Sequence, residues 1–307
     1  MDSVLIRSAR QFSRTVTMRF GALDDSFLSR GRPLGQARVL WEIGPDGTRV
    51  RALRSRLALD SGYLSRVLRA LEADGLITVG AADGDRRVRA VRLTPAGLAE
   101  RAELDRRSDD AAAAILRPLT SRQRDRLAAA MAEAEKLLTA SMIEIAPTDP
   151  RDPRARFCLR AYFTELSTRF DTGFDPARSI PAGDDDLTPP AGVLLVASLH
   201  DEPVGCGALK YHGAMPAEVK RMWVAPAARG LGLGRRLLAE LEAHAAARDV
   251  RVVRLETNHA LTEAIALYQS AGYREVTAFN DEPYAHHWFE KTLGRTAPTP
   301  ASQPPTP

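Results

Sequence analysis

The sequence predicts two domains: a mainly α-helical first half with a helix-turn-helix and a basic hairpin, then an α/β half on a mixed sheet. Three observations lead there. Before residue 95, two short amphipathic segments meet at a tight turn and lead into an arginine-rich hairpin. After residue 190, strand-like runs come first in hairpin order and then alternate with helical runs, which implies a mixed sheet. Between the halves, residues 146–153 (Ala-Pro-Thr-Asp-Pro-Arg-Asp-Pro) form a Pro-rich polar stretch that reads as a semi-rigid linker.

A chain of 307 residues, 44% hydrophobic and 27% charged, is long enough for two cores. No apolar run approaches the ~20 residues that span a bilayer, and the N-terminus lacks the basic-then-apolar layout of a secretory signal. No membrane partner is expected. Two cysteines, Cys158 and Cys206, stand far apart without metal-ligand spacing, so neither a disulfide framework nor a metal is expected, and a reducing cytoplasm is the expected compartment. The net charge of +4 is uneven: residues 1–150 hold 25 Lys+Arg against 20 Asp+Glu, residues 151–307 hold 18 against 19. The first half therefore suits an anionic partner.

From Val4 to Leu28, the recurrence of Leu5, Phe12, Val16 and Phe20 predicts an amphipathic helix. A second helix, Gln36 to Ile43, ends at the turn Gly44-Pro45-Asp46-Gly47. Thr48 is placed to cap a third, with Val50, Leu53 and Leu57 inward. After a break at Leu59-Asp60-Ser61-Gly62, a fourth helix turns Leu64, Val67, Leu68 and Leu71 inward and Ser61, Tyr63, Ser65, Arg66 and Arg69 outward. Two short helices with hydroxyl and arginine side chains outward match a helix-turn-helix that reads a major groove. Gly75 to Val79 and Arg86 to Leu93 then read as a hairpin around Asp83-Gly84, with Arg86, Arg87, Arg89 and Arg92 suited to phosphates or a minor groove. Ala96 to Leu116 and Ser121 to Ile143 close this half as two helices.

Asp85-Arg86-Arg87, followed after five residues by Leu93-Thr94-Pro95-Ala96-Gly97, resembles the wing pattern of MarR-type winged-helix regulators, over about residues 4–144. Thr94 and Pro95 also make sense alone, as helix N-cap and first helical residue. The resemblance implies that Ser61 to Asp74 is the recognition helix, that Arg87 binds DNA, and that Asp85 supports it. It further implies a homodimer built by the first and last helices of this domain, on a palindromic double-stranded operator.

In the second half, Arg156 to Phe170 reads as a helix, and Gly192 to Leu199, Val204 to Tyr211 and Glu218 to Val224 as strands. Asp184-Asp185-Asp186 is too contiguous for an EF-hand and reads as a solvated charge run. Then comes Arg229-Gly230-Leu231-Gly232-Leu233-Gly234, ahead of a helix carrying Leu237, Leu238, Leu241 and Ala245. A glycine-rich loop at a helix N-terminus suits a pyrophosphate, and Arg229, Arg235 and Arg236 make more sense beside an anion than opposing the helix dipole. Val252 to Thr257, a helix from Leu261 to Ser270, and Ala285 to Leu293 follow. The spacing is not G-x-G-x-x-G and no G-K-[ST] follows, so dinucleotide-fold and P-loop readings fail. Residues 295–307 read as a disordered tail.

The glycine stretch, with Asn258 and Ala264-Ile265-Ala266-Leu267-Tyr268 to Gly272-Tyr273, resembles the GNAT acetyltransferases over about residues 154–293. The resemblance implies acetyl-CoA as co-substrate and an amine acceptor. Gly230, Gly232 and Gly234 would hold the pyrophosphate, along with Leu231, Leu233, Arg229 and Arg235; Met222, Trp223 and Val224 would align the pantetheine and thioester. Tyr268 stands where many members place the general acid, the alternative being a ring packed in the core. Glu218 is the candidate base, since period two places it on one face with Lys220, Met222 and Val224; a water relay is the alternative. Asn258 would contact the coenzyme or steady the strands, and Tyr284, His286 and His287 stand near the acceptor side. The leading reading is a DNA-binding regulator that is also an N-acetyltransferase. Two readings compete: a transcription factor whose second domain only senses acetyl-CoA or an amine, and an enzyme whose first half only dimerises.

Overall fold

The computed structural model describes residues 2–19, 28, 31–82, 85–213 and 215–294, with backbone alone at residues 82 and 85–87. The tail after Gly294 and the expected turn Asp83-Gly84 lie outside the described residues. The chain divides into two compact units, Met1–Ala134 and Glu135–Pro307.

The first unit runs α1 (Ser3–Arg19), α2 (Leu34–Ile43), β1 (Thr48–Arg49), α3 (Val50–Leu57), α4 (Ser61–Ala73), β2 (Ile77–Ala82), β3 (Asp85–Leu93) and α5 (Pro95–Leu116). The three strands pair antiparallel in the order β1-β3-β2, completing a winged helix-turn-helix. Leu40, Ile43, Leu53, Leu64, Leu71, Ile77 and Leu104 form its core. Thr48 does not cap α3: it enters β1 opposite Val91, and the cap position falls to Arg49 without a side-chain bond. Thr94 caps α5 as expected, accepting the Gly97 N–H at 3.0 Å and donating to Gly75 O at 2.7 Å. Helix α1 buries no residue in this chain; the expected Leu5, Phe12 and Val16 stripe is exposed, and Phe20 lies outside the described residues.

Helix α6 (Ser121–Ser141) contains the unit boundary. The second unit continues with β4 (Glu144–Pro147), α7 (Pro153–Arg169), β5 (Gly192–Leu199), β6 (Glu202–His212), β7 (Met215–Val224), α8 (Leu233–Ala246), β8 (Val252–Thr257), α9 (Thr262–Ser270), β9 (Arg274–Val276) and β10 (His287–Thr292). The seven strands are ordered β4-β5-β6-β7-β8-β10-β9, with β7 and β8 parallel. The expected linker thus begins inside the sheet: Ala146 and Pro147 pair with Val196 and Leu195. Pro147 fits there because β4 is an edge strand, where a missing N–H leaves no ladder bond unmade. Asp184 to Asp186 are not merely solvated, since Asp184 and Asp185 pair with Arg151 and Asp186 with Lys210.

Both faces of this sheet are covered, and the burial follows period two. Val193, Leu195 and Ala197 of β5 pack toward Leu237, Leu241 and Tyr268. Leu194 and Val196 pack on the other face, toward Cys158 and Leu159 of α7.

Candidate active site and candidate nucleic-acid interface

The two parallel strands of the sheet part company early. Only Ala217↔Val253 and Glu218↔Arg254 pair, although β7 continues to Val224 and β8 to Thr257. Beyond those pairs the strand ends open a cleft. A bulge prepares it: Arg221 has φ 58°, and the register against β6 slips between Lys220 and Trp223. The extra residue inverts the alternation. Ala217 and Val219 lie on the α8 face, as do Met222 and Val224. Glu218 and Lys220 are therefore on the opposite face from Met222 and Val224, not the shared face that strict period two implies.

One side of the cleft is a groove of about 550 Å³ lined by Met222, Trp223, Val224, Arg229, Gly230, Gly232, Leu233, Gly234, Arg235 and Tyr268. Leu231 packs against the core instead, and the Leu233 side chain is buried within it. Gly230 and Gly232 hold φ 76° and 73°, and a β-carbon at Gly232 would meet nothing within 4 Å, so the backbone is bare. Gly232 caps α8, whose first N–H groups have no intrahelical acceptors. A groove of this size, closed by bare glycine backbone at a helix start, fits a pyrophosphate-bearing coenzyme. The arginines, however, are engaged elsewhere. Arg229 pairs with Glu165 at 2.6 Å, Arg235 donates to Ser270 Oγ at 2.7 Å, and Arg236 donates to Ala140 O and Ile143 O at 2.6 and 2.9 Å. Lys136, which the sequence reading did not single out, has no bonded partner among the described residues. Its Nζ lies 3.8 Å from where a Gly230 β-carbon would stand.

A second, smaller cavity of about 90 Å³ lies on the other side of the cleft, and the two meet at Tyr162, Leu166, Met222, Leu261, Ala264 and Tyr268. Its walls include Phe170, Phe174, Tyr284, Lys220, Glu256 and Asn258. Burial pushes the Tyr268 phenol well above the ordinary tyrosine value, so it keeps its proton. Glu218 does not line either cavity; its carboxylate meets Lys220 Nζ at 3.0 Å and His212 Nε2 at 3.5 Å. Lys220 also binds Glu256. Burial alone would lower the Lys220 ammonium, but the Glu256 and Glu218 carboxylates outweigh it and hold it above the ordinary lysine range. The Asn258 amide is committed to the backbone, donating to Tyr284 O at 2.8 Å and accepting from Ala260 N at 2.9 Å, so it steadies the cleft. Tyr284 lines the cavity; His286 packs edge-on against His259 and His287 meets Glu275 at 2.7 Å.

In the first unit, Asp60 caps α4 by accepting the Tyr63 N–H at 2.8 Å. Leu64, Val67, Leu68 and Leu71 are buried and Ser61, Ser65, Arg66 and Arg69 exposed, as expected. Tyr63 is half-buried against the core, with the Arg66 guanidinium 5.9 Å above its ring. A concave surface of about 460 Å³ joins Ser61, Ser65 and Arg69 to Arg89 of β3 and to Arg51 and Arg54 of α3. Those last two were missed; their i,i+3 spacing opposite Leu53 was the available signal. The side chains of Arg86 and Arg87 lie outside the described residues.

Among the described residues, no group of three or more His, Cys, Asp or Glu is placed to hold a metal ion, and no helix is long and apolar enough to cross a membrane.

Residues 159–273 match the family model of the acetyltransferase (GNAT) family, and residues 30–88 that of the MarR family. An IAA acetyltransferase of Azospirillum brasilense is 41% identical over 93 residues, 30% of this chain and 59% of that protein. An uncharacterized N-acetyltransferase of Schizosaccharomyces pombe is 35% identical over 101 residues, 32% of this chain and 59% of that one. The chain thus spans 59% of the length of each of these curated relatives. A solved structure from Klebsiella pneumoniae, described as an acyl-CoA N-acyltransferase, is 31% identical with a TM-score of 0.41, covering 50% of this chain and 99% of its own. The polypeptide is a fusion, belonging to the MarR family through its first domain and to the GNAT acetyltransferase family through its second.

Proposed function

We propose that this chain is a DNA-binding transcriptional regulator that also transfers an acetyl group from acetyl-CoA to an amine. The observation that carries the catalytic half is the meeting of two cavities at Met222 and Tyr268, in the cleft where β7 and β8 part. Acetyl-CoA, when bound, supplies an acyl thioester. The loop from Gly230 to Gly234, bare at Gly230 and Gly232, holds its pyrophosphate, and β7 from Met222 to Val224 aligns the pantetheine end. Tyr268, buried and protonated, stands at the junction as the donor to the departing sulfur.

For the first domain, the exposed arginines and serines of α4, with Arg51, Arg54 and Arg89 around the same concave surface, support binding to a palindromic double-stranded operator. The exposed Val4, Leu5, Ile6, Phe12 and Met18 of α1, and Met131, Leu137 and Leu138 of α6, support a homodimer that covers them. With such a partner, the cytoplasm is the compartment proposed for the protein.

The sensor reading has one observation in its favour: Glu218, the base expected from the resemblance, is taken up by Lys220 and His212. Incubation with acetyl-CoA and a panel of amines, followed as free thiol, separates the two. Thiol release that depends on the amine supports the enzyme; coenzyme binding without release by any amine supports the sensor.

A further inference from the structure

We infer that the acceptor is an unbranched primary alkylamine, taken up as its ammonium by the free carboxylate oxygen of Glu256. This rests on the acetyltransferase reading and names the acceptor of that same site. The Glu256 side chain is 10% exposed and lines the smaller cavity. Its Oε1 binds the Lys220 ammonium. Its Oε2 is buried without a partner, and among the described residues it is the only such atom on a residue lining either cavity of the cleft. A buried carboxylate oxygen without a donor is unfavourable, and a donor entering the cavity relieves it.

Charge points the same way. Glu218 and Glu256 share one ammonium, that of Lys220, and of the two carboxylates His212 adjoins Glu218. The other ionised groups on the cavity wall are engaged. The Arg221 guanidinium lies over the rings of Phe163 and Tyr162, at 4.8 and 5.8 Å, and donates to Ala182 O. Glu282 accepts from Ser179 Oγ and from the N–H groups of Ile180 and Tyr284. With Glu218 counted beside it, the cavity sets two cations, Lys220 and Arg221, against three carboxylates, Glu218, Glu256 and Glu282, a formal balance of −1. Size then selects among cations. At about 90 Å³ the cavity is smaller than the ~150 Å³ apolar cavity that admits benzene. A ring is too large for that volume, and a straight alkylammonium end presents it the narrowest cross-section, against the rings of Tyr162, Phe170 and Tyr284.

The chemistry balances on these residues. The acceptor ammonium gives one proton to Glu256 Oε2, and the freed nitrogen lone pair attacks the acetyl carbonyl carbon. The C–N bond forms and the C–S bond breaks, the sulfur leaving with the electron pair. Tyr268 gives its proton to that sulfur and recovers one from the new amide nitrogen. One proton in total remains on Glu256 for return to solvent.

The test uses the full chain with n-butylamine, sec-butylamine and aniline, and a lysine-containing peptide as a further arm. We expect kcat/KM for n-butylamine at least tenfold above that for sec-butylamine and aniline; the peptide arm tells whether the alkylamine end is free or a protein side chain. Glu256→Gln should lower kcat/KM for n-butylamine about a hundredfold, and calorimetry should show butylammonium no longer binding the coenzyme A complex, with coenzyme Kd unchanged. Equal binding of butylammonium by the Gln variant, no binding by the wild type, or a preference for the branched or aromatic amine overturns the inference. If the Gln variant does not fold, the wild-type order of amines decides. Butylammonium binding that depends on Glu256, without thiol release by the wild type, keeps the subsite and sinks the acetyltransferase reading instead.

Discussion

Arg229 Nη2 donates to Glu165 Oε2 at 2.6 Å, and the same oxygen accepts the Trp223 indole N–H at 3.0 Å. The arginine that opens the glycine stretch is thus a brace between α7 and the end of β7. Arg235 and Arg236 bond only neutral oxygens and keep their charge, and Lys136 stands beside Gly230 as a further cation for the proposed pyrophosphate. Lys136→Ala should raise the Kd for acetyl-CoA by roughly three- to tenfold, as about 1 kcal/mol for an exposed charge pair implies. Acetyl-pantetheine, which lacks the pyrophosphate, should bind both proteins alike. Calorimetry checks this, and an unchanged Kd for acetyl-CoA removes Lys136 from the site.

Tyr268 is buried among Tyr162, Tyr273 and Phe289, with ring centroids 6.0 and 6.1 Å from the last two. The ring therefore packs in the core while its residue lines the junction of the cavities, so core packing leaves open the general-acid role proposed for it. Tyr268→Phe keeps the ring and removes the proton. The expected result is a fall in kcat of about a hundredfold, in the range for a general acid, with coenzyme Kd and Tm unchanged. A normal kcat means that sulfur is protonated from elsewhere.

Gly97 shows why the first domain's motif ends in glycine. A β-carbon there would lie 1.9 Å from the carbonyl oxygen of Leu76. That atom is backbone and is held in place, since it accepts the Thr94 N–H at 3.0 Å. Gly97→Ala should destabilise the first domain by roughly 2 kcal/mol or more, the range for overpacking against an unyielding neighbour. Urea unfolding followed at Trp41 measures it; a stability within 0.5 kcal/mol, about the size of a neutral surface change, shows that the contact relaxes.

Local chemistry explains which parts were legible in the sequence. The Thr94-Pro95 start of α5, the inward leucines of α4 and the glycine loop ahead of α8 depend on neighbours within a turn or two. What escaped depends on distant partners. The bulge at Arg221 arises from pairing with β6, and it moved Glu218 off the face expected for it. Pro147 lies in a strand because β5 is there to pair with it. The loop arginines have anion-site spacing, yet carbonyls and carboxylates far along the chain engage them. Glu256 gave no motif signal, because its significance is one unpaired oxygen in a cavity.

Lys220 holds two carboxylates apart within a 7% exposed site. Its pKa is raised on folding, so the stabilisation is fully present below the ordinary lysine value and is lost as pH rises through the higher folded value. The Lys220 contribution is therefore flat through neutral pH and declines in alkali. Lys220→Met should destabilise the second domain by about 3–5 kcal/mol, since it leaves carboxylates buried without their partner, and should remove that alkaline dependence. Denaturation as a function of pH follows both; a variant as stable as the wild type at pH 7 shows the three charges to be solvent-screened.

Arg69 of α4 and Arg54 of α3 flank the same concave surface from two helices, and both are exposed. If the surface is the DNA site, either change to Ala removes about one phosphate or base contact. Each phosphate contact contributes about 0.9 to the slope of log K against log salt. Arg54→Ala should weaken binding to operator and random duplex alike and reduce the slope by about one. Arg69→Ala, on the recognition helix, should weaken operator binding by roughly 1–3 kcal/mol and narrow the gap between operator and random sequence. Arg87→Ala should behave as Arg54→Ala does. Filter binding across a salt series, with an operator first selected from random duplexes, separates the patterns. Unchanged slopes in all three variants place the DNA elsewhere or nowhere on this domain, and favour an enzyme whose first half serves to dimerise.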